Sequence, residues 1–189
     1  MLTLNDIESL LQTRGHAQYS GEPVSQLQHA LQTAALAEGE GADDELVTAA
    51  LLHDLGHLVH GHDRDVQRNP GDTPTLRGID DLHQFIALPL LRGLFADRVL
   101  AAIQGHVDAK RYLCATRPGY LAALSADSKR SLLLQGGVFD AAQAQAFIDQ
   151  PGAEQAVRLR QWDDLAKAAD AGTPPLQHFI ARARRCVFC

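Results

Sequence analysis

The sequence has little cysteine, few aromatic residues, no long apolar run and no basic excess, and each shortage excludes something. Three cysteines occur in 189 residues: Cys114, Cys186 and Cys189. An odd count without a secretory leader is no disulfide framework. Cys186 and Cys189 form a terminal C-x-x-C. A redox pair of that kind belongs near a strand–helix junction, which nothing here resembles, so free thiols of minor structural role are expected. No apolar run approaches the roughly 20 residues that a membrane helix needs. The opening residues MLTLNDIESLLQTRG lack a basic stretch followed by an apolar one. No signal peptide is read there, and a cytoplasmic protein is the default expectation. Lysine and arginine total 17 against 23 acidic residues, a net charge of -6. That balance argues against a general nucleic-acid binder. It leaves room for an anionic small substrate in a locally positive cleft.

Hydrophobic residues make up 46 % and charged residues 21 %. This is enough for a core, and it suits one domain over residues 1–189. The chain reads as all-α. Leu4, Ile7, Leu10 and Leu11 fall on one face of a helix from Thr3 to about Thr13, with Thr3 and Asp6 as its cap pair. A turn at 19–23 follows, and Pro23 is expected in the first turn of a helix reaching about Glu38. Asp43 should cap a mostly apolar, central helix running through LVTAALLHDLGH. Residues 58–78 read as a long loop. Helices are expected over about 80–92, 96–109, 125–136, 140–149 and 153–171, with a short one at the C-terminal end.

The chemistry gathers around His53-Asp54-Leu55-Gly56-His57. A His beside an Asp offers an imidazole nitrogen and two carboxylate oxygens to one region, and such a carboxylate can bridge two cations. Nitrogen and oxygen donors suit Fe, Mn, Zn or Mg. The alternative is a buried His hydrogen-bonded to its neighbours. His29, His83, His106 and Asp163 change the weighting. Each sits in a separate expected helix, which is how a helix-bundle metal site is assembled.

The order His29, His53-Asp54, Asp163 resembles the metal-binding signature of the HD-domain superfamily, and His83 and His106 resemble its two-metal versions. Further motifs are Tyr19-Ser20-Gly21-Glu22, Gln26, Lys110, the stretch RYLCATRPGYLAALSADSKRSLLLQGG and Arg160-Gln161-Trp162-Asp163. Together they look like the mixed-valent di-iron oxygenases of organophosphonate breakdown, the PhnZ type. The resemblance covers about 11–169 and implies an HD-domain helical bundle with a two-metal site in its core. His29, His53, Asp54 and Asp163 would hold one iron. Asp54, His83 and His106 would hold the other, with Asp54 bridging an Fe2+/Fe3+ pair. The substrate would be a 1-hydroxyphosphonate with an amino or trimethylammonium group. Lys110, His57, Ser128 and Arg160 would contact the phosphonate or its surroundings, and Gln26 would join the substrate-binding set. Glu22 would face the cationic end, and Tyr19 would guard the open iron position.

The chemistry of these side chains agrees. Lysine and arginine suit a near-dianionic phosphonate. A carboxylate and an aromatic ring, Glu22 and Tyr19, suit an ammonium. Each also has a plainer reading. Lys110 could be a solvated charge, Glu22 a helix-terminus acid, Ser125 a cap, and His60 and His62 loop residues near the pocket mouth. The implied reaction is O2-dependent cleavage of the carbon–phosphorus bond, giving phosphate and a carboxylic acid of the glycine or glycine betaine type. Two rivals stand beside it: a metal-dependent phosphohydrolase using the same ligands, and an inactive HD-type interaction domain, in which lost ligands would be expected.

Overall fold

The computed structural model describes residues 2–19, 21–59 and 73–188, which are helical with isolated bridges and no strand. His60, His62 and Cys189 lie outside the described residues. Helix α1 (Leu4–Arg14) starts at the expected Thr3–Asp6 capping box and buries Leu4, Ile7 and Leu11. Helix α2 (Gln26–Gly39) begins later than Pro23 suggested, because Ser25 and Gln28 form a capping box that satisfies two backbone N–H groups. The chain before it folds into a tight loop. Tyr19 N–H donates to the Val24 carbonyl (2.8 Å), and Gln26 N–H to that of Ala17 (2.9 Å).

Helix α3 (Asp44–Leu52), capped by Asp43, buries every residue from Leu46 to Leu52. It does not run on through His57 as expected. The chain turns at His53-Asp54 and resumes as α4 (Leu55–Val59). Pro74–Arg77 form a single 3-10 turn. The helix expected over 80–92 is two short ones, α5 (His83–Ile86) and α6 (Leu88–Leu91), with a proline in the first turn of α6. Helix α7 (Asp97–Thr116) outruns its expected end by seven residues. Then come α8 (Tyr120–Ala123), which the sequence did not signal, and α9 (Ala126–Leu134), capped by Ser125. Helix α10 (Ala141–Ile148) starts at the expected Asp140 cap. Helix α11 (Ala153–Leu165) stops short of Ala171, and α12 (Leu176–Arg185) closes the chain.

Helix α3 is central and packs on α2, α7, α11 and α12, while α7 and α11 share the most extensive helix contact. Glycine makes that contact close. A Cβ on Gly105 would lie 2.9 Å from the Ala156 Cβ, inside normal van der Waals distance. Trp162, Leu159, Leu51, Leu52 and Ile103 fill the space between these helices with almost no exposure. Burying side chains of this size contributes about 1.5–3 kcal/mol each. The apolar core therefore fixes α2, α3, α7 and α11, and His29, the His53-Asp54 turn, His106 and Asp163 lie on or directly after them.

Candidate metal centre

His29, His53, His83 and His106 are buried, with Asp54 and Asp163 among them. Two groups share Asp54: His29 with His53, and His83 with His106. Oδ2 of Asp54 lies 3.3 Å from His53 Nε2 and 3.6 Å from His29 Nε2. Its Oδ1 lies 3.4 Å from His83 Nε2 and 3.7 Å from His106 Nε2. Asp163 Oδ1 joins the first group, 3.3 Å from His29 Nε2.

The backbone fixes which imidazole nitrogen carries the proton. His29, His53 and His106 place Nδ1 against the carbonyls of Ala166 (2.9 Å), Ala50 (2.8 Å) and Ile103 (2.6 Å). A carbonyl only accepts, so Nδ1 is a protonated nitrogen, and in the neutral ring Nε2 carries the lone pair. His83 Nδ1 lies 2.8 Å from Asp81, with the same consequence. Nε2 of His29 then faces Nε2 of His53 at 3.1 Å, and Nε2 of His83 faces Nε2 of His106 at 3.1 Å. Two lone pairs at that distance repel. Asp54 Oδ2 and Asp163 Oδ1 are buried acceptors with no donor. A buried acceptor without a partner costs about 1–3 kcal/mol. A cation among these atoms removes both penalties, so the donor set fits a metal beside each oxygen of Asp54. Burial together with the neighbouring His83 and His53 pushes the His106 pKa well down, which keeps it in the neutral, ligating form.

A cavity opens over the second group. Its wall includes Tyr19, Glu22, His57, His83, His106, Lys110, Ser128, Arg160 and Lys167. The Tyr19 ring stacks on His29 with centroids 3.9 Å apart. Burial, with the charges of Asp54 and Asp163 beside it, holds its phenol well above the usual range. Lys110 is buried and donates to Ser131 Oγ (2.7 Å). Burial, with the nearby Arg160 charge, pulls it down to about 7. Burial also opposes the charge on Arg160, but its ion pairs with Asp163 (2.8 Å) and Asp164 more than offset it.

Residues 27–136 match the HD domain family. The chain belongs to the HD-domain family. Within the family it is 36 % identical over 181 residues to [1-hydroxy-2-(trimethylamino)ethyl]phosphonate dioxygenase (glycine-betaine-forming) of Leisingera caerulea, covering 96 % of this chain and 88 % of that one. It is 38 % identical over 179 residues to hydroxymethylphosphonate dioxygenase of Gimesia maris, covering 94 % and 85 %.

In this HD-domain chain, most of the residues singled out in the sequence gather at the centre. The six expected ligands converge, and Tyr19, Glu22, His57, Lys110, Ser128 and Arg160 line the cavity. Gln26 is buried at the start of α2 and is not on the cavity wall. Ser125 accepts from Ser128 N–H (3.2 Å), the role of a cap. Among the described residues no helix is long and apolar enough to cross a membrane.

Three contributors escaped the sequence reading. Asp81 receives both His57 Nδ1 (2.9 Å) and His83 Nδ1 (2.8 Å), and so orients the two stacked imidazoles. Ser131 holds Lys110. Lys167 lies 3.4 Å from Glu22. Gly56, part of the HDLGH motif, gains a reason: a Cβ there would sit 2.1 Å from the His83 carbonyl oxygen, so only glycine lets α4 pass that close to α5.

Proposed function

We propose that this chain, acting as one domain over residues 1–189 in the cytoplasm, is a di-iron dioxygenase. It would use O2 to cleave the carbon–phosphorus bond of a 1-hydroxyphosphonate, including those with an amino or trimethylammonium tail. Asp54 carries the reading. Its two oxygens face two separate histidine pairs, and one pair, His83 with His106, lines a cavity whose wall also holds Lys110 and Arg160. The relatives from Leisingera caerulea and Gimesia maris, both named as hydroxyphosphonate dioxygenases, supply the reaction class.

In this reading His29, His53, Asp54 and Asp163 hold one iron, and Asp54, His83 and His106 the other. When bound, a mixed-valent Fe2+/Fe3+ pair supplies O2 activation and a Lewis-acidic seat for the substrate's hydroxyl and phosphonate oxygens. The protein supplies charge and orientation. Lys110 and Arg160, both buried on the cavity wall, would balance the phosphonate charge where burial strengthens such contacts. Ser128 offers a hydroxyl beside them. His57, fixed through Nδ1 by Asp81, presents Nε2 toward Asp54 and would offer a site for proton transfer on the cavity wall. Tyr19, stacked on His29, shields the centre until substrate arrives. The overall change balances. R–CH(OH)–PO3 and O2 give R–COOH and phosphate, with the two electrons of the C–H bond and the two of the C–P bond reducing O2.

The test follows phosphate and O2 together. Iron-loaded protein given hydroxymethylphosphonate or its trimethylammonium-ethyl counterpart should release about one phosphate per O2 consumed, and none under argon. Phosphate released without O2 would replace this reading with hydrolysis.

A further inference from the structure

Two charged residues on the cavity wall lie outside both the histidine cluster and the phosphonate contacts. Glu22 Oε1 and Lys167 Nζ are 3.4 Å apart, and both side chains are largely buried, 13 % and 15 % exposed. Each backbone is tied down. Glu22 N–H donates to the Tyr19 carbonyl (2.9 Å), and the Gln18 side chain donates to the Glu22 carbonyl (3.2 Å). Lys167 N–H donates to the Leu165 carbonyl (2.9 Å) just past α11. The next residue is clamped from both sides by Gln32, which receives the Ala168 N–H (3.1 Å) and donates to the Ala168 carbonyl (2.9 Å). The pair is therefore anchored at both ends and is not a loose surface contact.

This matters for the end of the substrate away from the phosphonate. An unpaired Glu22 would attract an ammonium. Paired with Lys167, it is neutralised before substrate enters, and a cation placed there meets the Nζ charge at close range. To gain Glu22, a cationic tail must first separate a largely buried ion pair and leave Lys167 without its partner, which is costly. The other carboxylates on the wall are mostly occupied. Asp54 and Asp163 face the histidines, Asp81 holds His57 and His83, and Asp127 pairs with Arg130 (2.9 Å). Asp80 receives the Leu82 N–H (3.3 Å) and is the remaining acid that a cation could reach.

We propose that Lys167 is a specificity-determining residue: by neutralising Glu22 it makes the cavity prefer 1-hydroxyphosphonates without a cationic tail, hydroxymethylphosphonate being the smallest. The proposal rests on the dioxygenase reading and adds the substrate class. A small uncharged tail leaves the ion pair intact and needs no rearrangement of the wall.

The experiment compares kcat/KM of the iron-loaded full chain for hydroxymethylphosphonate and for 1-hydroxy-2-(trimethylammonio)ethylphosphonate. The wild type should favour the first by about tenfold or more, the scale of a ~1.4 kcal/mol discrimination. Lys167→Met should shift the ratio toward the trimethylammonium substrate by about tenfold, chiefly through KM, with phosphate per O2 unchanged. Lys167→Arg, which keeps the charge, should retain the wild-type preference. A wild type that prefers the cationic substrate, a ratio unmoved by Lys167→Met, or a ratio moved by Asp80→Asn instead, would each overturn the assignment while leaving the dioxygenase reading in place. Absence of O2-dependent phosphate release from both substrates would overturn both together.

Discussion

The two halves of the histidine cluster are built differently. His29, His53 and Asp163 come from α2, the end of α3 and α11, elements locked by the apolar core, and their exposures are 0 %, 0 % and 2 %. This half has two carboxylates, Asp54 and Asp163. The other half has Asp54 alone. There His106 comes from the long α7, but His83 sits on a four-residue helix that follows Leu82 in a left-handed conformation (φ 52°). His83 and His106 line the cavity, whereas His29 and His53 do not. The difference separates two tasks. In the proposed two-metal reading, the half with more carboxylate and the stiffer frame should grip its cation harder. The half with fewer protein donors faces the space where a substrate would enter.

The largest effect expected from this contrast is at the shared residue. Asp54→Ala should leave less than about a tenth of the metal at both positions, whereas His83→Ala should empty only the second and retain about one metal per chain, both by elemental analysis. Equal losses from the two variants would erase the distinction between the halves. Next is Asp81, which orients His83 from outside the cluster. Asp81→Asn should weaken metal binding at the second position by about 10–100-fold, the usual range for a lost carboxylate behind a ligating His, while the first position stays filled. A competition titration with a chelator measures this directly.

Lys110 gives a pH-dependent test on the cavity side. Burial lowers its pKa to about 7, so the charged form is lost as pH rises through that value. If the charge binds phosphonate, kcat/KM should fall about tenfold per pH unit above 7. Lys110→Met should start lower and lose the slope. The sign for stability is opposite. The unfolded chain holds this proton up to about pH 10.4, so folding is penalised below 7 and becomes more favourable between 7 and that value. The smallest effect is at Leu82. A left-handed leucine costs about 1–2 kcal/mol, partly offset by the greater chain entropy that glycine loses. Leu82→Gly should therefore stabilise the metal-free protein by about 0.5–1 kcal/mol, read from its urea midpoint.

The contrast also explains what the sequence disclosed. His29, His106 and Asp163 were legible because each sits inside a long helix, where a His or Asp on the buried face stands out. The fold class and the caps at Thr3, Asp43 and Asp140 were legible for a related reason: each rests on a local rule. The break at His53-Asp54 was hidden by continuous apolar periodicity across it, which suggests one helix. Asp81 was read inside the first turn of the helix expected over 80–92, and its pairing with His57 and His83 exists only once α4 packs on α5. Lys167 was read inside a helix reaching Ala171. The true end at Leu165, set by Ala166 and Ala168 bonding to His29 and Gln32, turns it toward Glu22. These misses are long-range contacts that no local spacing encodes.

Asp54 as the bridge between two unequal metal positions is the central claim, and anomalous X-ray scattering from crystals of iron-loaded protein tests it most directly. The account predicts two iron peaks, one beside each oxygen of Asp54, with the peak at His83 and His106 fading first when a chelator is soaked in. A single peak, or a pair of which the one beside His29, His53 and Asp163 fades first, would contradict it.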